Sequence, residues 1–148
     1  MSARETAIAA LHARLQESLA ARNPAPLVLR NETVPQRLPP GGLVVLRDGE
    51  TAEETPLLSP LAWAVEHRAE VEVTVPGATS AARAALLDAL LADVAAAIAA
   101  DRTLSGAVEW AQPGSPGFED EEFEGAAAAR AALVPVTLFF TAAGSPLS

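Results

Sequence analysis

The stretch LAWAVEHRAEVEVTV, residues 61–75, decides the fold. Trp63, Val65, His67, Ala69, Val71, Val73 and Val75 take alternate positions, and Glu66, Arg68, Glu70, Glu72 and Thr74 fill most of the others. Successive side chains of an extended chain point to opposite faces, so this pattern predicts a long strand with one buried and one wet face. The run exceeds the roughly five or six residues of an ordinary strand. Pro76-Gly77 stops it.

Upstream, Leu43-Val44-Val45-Leu46 is a continuous apolar run, as in a strand covered on both faces. Asp48-Gly49 reads as the turn that closes it. Residues 50–60 are acidic and proline-punctuated and read as an exposed loop. Leu27-Val28-Leu29 is a short strand candidate, set apart by a loop containing Pro35, Pro39, Pro40, Gly41 and Gly42. At the start, Ser2 and Glu5 form an S-x-x-E capping box. Ile8, Leu11, Leu15 and Leu19 follow at helical spacing, predicting an amphipathic helix over about residues 3–21. Asn23-Pro24-Ala25-Pro26 ends it, because proline cannot continue the hydrogen-bond ladder.

Downstream, Thr79 or Ser80 caps a second helix over about residues 81–100, with Leu87, Leu90, Leu91, Val94 and Ile98 as its apolar stripe. Residues 107–111 form a short strand candidate and residues 112–117 a Pro/Gly loop. An acidic run with two phenylalanines follows over 118–124, and residues 131–141 make a last strand rich in Val, Leu and Phe. The order is αβββαββ. Few of the strands are separated by crossover helices. The expected fold is therefore α+β: a mainly antiparallel sheet of four to five strands with two helices packed on one face. A length of 148 residues fits one domain, and no internal repeat is visible.

The formal net charge is −9. Binding to phosphates or to anionic lipid needs clustered Lys and Arg, so nucleic-acid binding through a basic surface and docking on a charged membrane are not expected. With no cysteine in the chain, disulfides, thiolate metal sites and thiol nucleophiles are excluded, which fits a cytosolic history. The N-terminus lacks the basic region and apolar core of a signal peptide. The uncharged stretch 131–148 is broken by prolines and hydroxyl residues and does not read as a membrane span.

No catalytic centre emerges. His12, between Leu11 and Leu15, and His67, on the apolar face of the long strand, read as packing residues. Neither belongs to an H-x-x-H or H-E-x-x-H pair, and no three-ligand metal set can be assembled from local spacing. G-x-S-x-G, G-x-G-x-x-G and the phosphate-binding loop ending in G-K-S/T are all absent, and so is tyrosine. No metal or cofactor is expected. The strongest charge feature is Glu119-Asp120-Glu121-Glu122 with Glu124. It lacks the alternating ligands and set glycine of a calcium loop. A solvated loop is the plain reading, and an acidic surface at a subunit interface or facing a channel is the functional one. Arg30, Arg37 and Arg47 are either solvated or partners for acidic groups on a neighbouring subunit. The two longest strands also invite pairing with other chains if they lie at sheet edges.

Several segments together resemble the tail terminator (tail completion) proteins of long-tailed bacteriophages and gene transfer agents. They are Val28-Leu29-Arg30-Asn31 with the prolines after it, the stretch from Leu43 to Glu50, and the valine-alternating strand before a helix. The Glu124-Gly125 pair and the ending from Val136 to Pro146 belong with them. Phenylalanine stands where such proteins often carry an aromatic-basic strand with tyrosine. The resemblance implies a structural protein of the virion neck, assembled in the host cytoplasm. It implies a hexameric ring on the head-proximal end of the tail tube that stops tube polymerisation. Its partners would be other copies of itself, the major tail tube protein and the head-completion (connector) protein, with DNA passing through the lumen without specific binding. On that view the Glu119–Glu124 run lies near the ring surface or lumen. Three alternatives stay open: another neck or minor tail component such as a head–tail adaptor, a small dimeric binding domain, and a small acyl-transferase-like enzyme.

Overall fold

A computed structural model describes residues 1–35, 37–121 and 128–148. In chain order the elements are α1 (Ala3–Leu19), β1 (Leu27–Arg30), β2 (Leu43–Leu57), β3 (Ala62–Pro76), α2 (Ser80–Ala100), β4 (Trp110–Pro113), β5 (Gly117–Glu121) and β6 (Ala129–Ala143). The fold is α+β. Among the described residues its sheet is six-stranded and mixed, ordered β1-β2-β3-β6-β4, with β5 also on β6.

The predicted long strand is β3, and it is central. It pairs antiparallel with β2 on one side and with β6 on the other, each of the three being 15 residues long. Its alternation appears as burial: Val65, His67, Ala69, Val71 and Val73 are inside, and Arg68 is exposed between them. β6 alternates in register, with Val134, Val136, Leu138, Phe140 and Ala142 inside.

Both helices pack on that inner face and on each other. α1 contributes Ala7, Ile8, Leu11, Leu15 and Leu19, and α2 contributes Leu87, Leu90, Val94, Ala97 and Ile98, all within one core cluster. Each fully buried Leu or Ile of this set contributes about 1.5–3 kcal/mol over leaving it exposed. Two polar ties fix the helix pair: Arg14 Nε donates to the Ala97 carbonyl at 2.8 Å, and Arg22 pairs with Asp93. The caps form where expected. Ser2 Oγ accepts from the Glu5 N–H at 3.1 Å, and Thr79 Oγ1 accepts from the Ala82 N–H at 3.1 Å. The return half of the predicted capping box does not form, because the Glu5 carboxylate is bound to Arg30.

Four expectations need correction. β1 runs parallel to β2, so the sheet is mixed; the connection between them crosses the sheet without a helix to mark it. Leu43 and Val45 point away from the helix-side core and are nevertheless buried, as expected for a strand end covered on both faces. Asp48-Gly49 is a β-bulge and not a turn: the register with β3 shifts between Arg47 and Glu50, and Gly49 has φ +69°. Beyond the bulge the expected loop continues as strand to Leu57, largely exposed and paired to β3 except at a second register shift between Thr51 and Glu53. Finally, Gly117–Glu121 pairs with β6 as an extra strand, giving six strands in the order αβββαβββ.

Candidate interaction surface

Arg30, at the end of β1, is the hub of a polar cluster. Its guanidinium donates two hydrogen bonds to Glu5 of α1, at 2.7 and 2.8 Å, and two to Asp48 of the β2 bulge, at 2.8 and 2.9 Å. The hydrogen bonds from Arg30 hold both carboxyls below their ordinary values, and the two carboxylates together raise the Arg30 pKa. Asn31, at φ +54°, turns the chain out of β1 and places its side-chain oxygen 3.1 Å from the Asp48 N–H.

His67 adjoins this cluster from below. It is 2% exposed. Its Nε2 meets the Asp48 carbonyl, so that nitrogen carries the proton and donates. Nδ1 faces the Thr51 hydroxyl at 3.4 Å, and Thr51 Oγ1 accepts from Arg4 at 3.0 Å. Burial pushes the His67 imidazole below its ordinary pKa; the Asp48 carbonyl opposes this and the Arg4 charge adds to it. The result is a neutral histidine with both ring nitrogens engaged, bracing the bulge. Arg4 also donates to the Pro146 carbonyl, drawing the C-terminal segment against α1. Local spacing gives no sign of this cluster, since its partners come from α1, β1, β2 and β3.

The other predicted residues are spread over the molecule. Arg47 donates to Glu72 at 3.3 Å, diagonally across β2 and β3. Arg37 is exposed and, with Leu38, Pro39, Pro40 and Pro76, lines a shallow hollow. Glu119 and Asp120 lie on the edge strand β5, opposite Ala131 and Arg130. Asp120 stands 3.9 Å from Arg130, whose guanidinium covers the Phe118 ring at 5.2 Å. Glu121 ends β5 opposite Ala129, and Glu122 and Glu124 lie outside the described residues. Among the described residues, no three His, Asp or Glu side chains stand together as a metal site. His12 lies half-buried on α1, its Nε2 without a hydrogen-bond partner among the described residues.

What the sheet does present is its outer face. Register places Glu53, Glu66, Glu70 and Glu72 there, with Arg47 and Arg68 among them, on β2 and β3. Leu133, Pro135, Phe139 and Trp110 share that face on β6 and β4. Trp110 is 48% and Leu133 40% exposed. A carboxylate row thus runs beside an apolar strip, on the side away from the helices. Beyond the short β1, the distal half of β2 has an unpaired edge, and the β2–β3 turn exposes Leu57, Leu58 and Leu61. Such an edge favours pairing with other chains unless charge, proline or a bulge blunts it. Here Glu50, Glu53, Glu54, Pro56 and two register shifts supply all three. No helix of the described residues is long and apolar enough to cross a membrane.

No protein-family model matches the chain, and no curated protein matches it. Solved structures do. A chain of a structure described as the virion of a native gene transfer agent (GTA) particle is similar over 90% of this chain and 96% of that one, at 19% identity and a TM-score of 0.38. A likeness this loose carries no role from that particle to this chain.

Proposed function

We propose that this chain is a single-domain structural protein of a phage-like tail. In this reading it is a tail terminator that forms a ring on the head-proximal end of the tail tube, stops tube growth and receives the head-completion complex. The observation that carries the reading is the outer sheet face, where Glu53, Glu66, Glu70 and Glu72 run along β2 and β3, two strands joined at an exposed tip. Residues spent on such surfaces suit assembly, and the one buried histidine has both ring nitrogens committed to structure. The sequence resemblance described above supports the same reading.

A negative lumen suits passage of DNA, because like-charge repulsion keeps the polymer from sticking to the wall. The outer sheet face is the stretch of surface best fitted to that wall. The acidic run from Glu119 to Glu124 is assigned to the ring surface or lumen. The partners are then other copies of the chain, the tube protein and the connector protein. The place of action is the virion neck, after assembly in the host cytoplasm.

The test is electron microscopy of the purified protein mixed with tail-tube protein from the same genome. Six-fold rings capping tubes at one end, with growth arrested, are the expected result. Folded protein that neither rings nor arrests tubes sinks the reading. Rings that ignore tubes but bind portal-side proteins would move it to a head–tail adaptor. For the acidic run, alanine at Glu119, Asp120, Glu121, Glu122 and Glu124 should alter assembly or DNA delivery; unchanged tails would remove it from the lumen.

A further inference from the structure

Two exposed features lie at opposite ends of the sheet and match each other. At one end is the β2–β3 tip, where Leu57, Leu58 and Leu61 are 44%, 80% and 49% exposed. Scattered surface leucines are ordinary, but these three crowd one turn. That turn is held in place by the Gly144 N–H donating to the Leu61 carbonyl at 3.1 Å. At the other end, where β3 stops at Pro76, is the hollow of about 580 Å³ lined by Arg37, Leu38, Pro39, Pro40 and Pro76. Three of its five lining residues are proline, whose fixed φ limits how far the wall can rearrange. The charges correspond as well. Glu53 and Glu54 are exposed just behind the tip, and Arg37 makes no ion pair among the described residues. The whole of β3, roughly 50 Å at about 3.3 Å per residue, separates tip from hollow, so the two cannot meet within one chain.

We propose that the β2–β3 tip of one copy seats in the Arg37-Leu38-Pro39-Pro40-Pro76 hollow of the next, Leu58 entering between the prolines and Glu53 or Glu54 facing Arg37. The occupant is a second copy, because the chain itself carries both an apolar acidic plug and an apolar basic socket. The contact is head-to-tail. It closes into a ring when the rotation per subunit divides a full turn, and otherwise runs on as a filament. Only that closure rests on the terminator reading.

The absence of cysteine makes the test clean. Leu58→Cys and Leu38→Cys variants, carrying different tags, are mixed and treated with a short bifunctional maleimide. The expected product is a tip-to-hollow heterodimer in large excess over either homodimer, and the Leu38→Cys/Leu58→Cys double variant should give a ladder. Adding Arg37→Glu to the Leu38→Cys chain should lower the heterodimer yield at least tenfold. Adding Glu53→Arg and Glu54→Arg to the Leu58→Cys chain should restore it. Circular dichroism confirms that each variant is folded. Homodimers equal to heterodimers, no heterodimer at the highest concentration at which both variants stay folded, or indifference to the charge swap each overturn the contact. A ladder that runs on without limit keeps the contact and rejects the ring. Six-fold rings on tubes with no tip-to-hollow product keep the ring and reject the contact.

Discussion

Arg30 ties three separate parts of the chain with four charge-assisted hydrogen bonds, and its removal leaves two carboxylates without their partner. The Arg30→Met variant should therefore unfold at lower urea. The Asp48 arm alone is worth about 1 kcal/mol after discounting for its exposure. The Glu5 and Asp48 carboxyls are depressed in the fold, so they bind fewer protons there than in the unfolded chain. Their contribution is present above about pH 4 and is lost as pH falls through the depressed values. As pH is lowered from about 6 to about 2.5, urea midpoints should fall more steeply in the wild type than in Arg30→Met. His67 acts in a separate window. Its imidazole is also depressed, so the unfolded chain takes up its proton first as pH falls. Stability is full above about pH 6.5 and declines below it, towards the lower folded value. A His67→Gln variant should have a lower midpoint at pH 7.5 and no slope between pH 5 and 6.5. A slope that persists in it would assign the effect to another group.

At the scale of elements, the β2 bulge depends on one glycine. A Cβ on Gly49 would lie 1.9 Å from the Arg68 carbonyl oxygen, at a backbone conformation that other residues rarely adopt. Gly49→Ala should cost about 2 kcal/mol or more, read from the urea midpoint, and should disturb the adjoining Asp48 and His67 contacts. A neutral result would mean that the bulge is not in this register. The bulge also explains where sequence reading stops. β3 was legible because a buried strand with a wet face writes its period into the sequence, and the helices were legible from their stripes and their Ser2 and Thr79 caps. The distal half of β2 was not, since an exposed paired strand has no apolar face to alternate, and Asp48-Gly49 has the composition of a turn. β5 was hidden for the same reason inside an acidic run. The Arg30 cluster was invisible because Glu5 and Asp48 lie 25 and 18 positions away along the chain.

Over the molecule as a whole, the outer sheet face carries more negative charge than folding requires. Glu53 and Glu66 stand directly opposite each other in the β2–β3 register, and like charges so placed oppose pairing. Glu66→Lys should raise stability by about 0.2–1 kcal/mol in low salt, with the gain shrinking as salt is added. If the face lines a DNA channel, the same variant should slow DNA passage while leaving the protein more stable. Improvement in both would remove the reason for keeping the carboxylate. The sheet's connectivity also sets the order in which it is completed. The central strand acquires its second neighbour only when residues 129–143 return to it, across the 52 residues between Pro76 and Ala129. Until that late partner has been synthesised, the valine-rich strand at the middle of the finished sheet is an open edge in the nascent chain. Its closure is the slow, non-local event of folding. Fragments that end before residue 129 should therefore aggregate through the strand that, once the chain is whole, is the best protected.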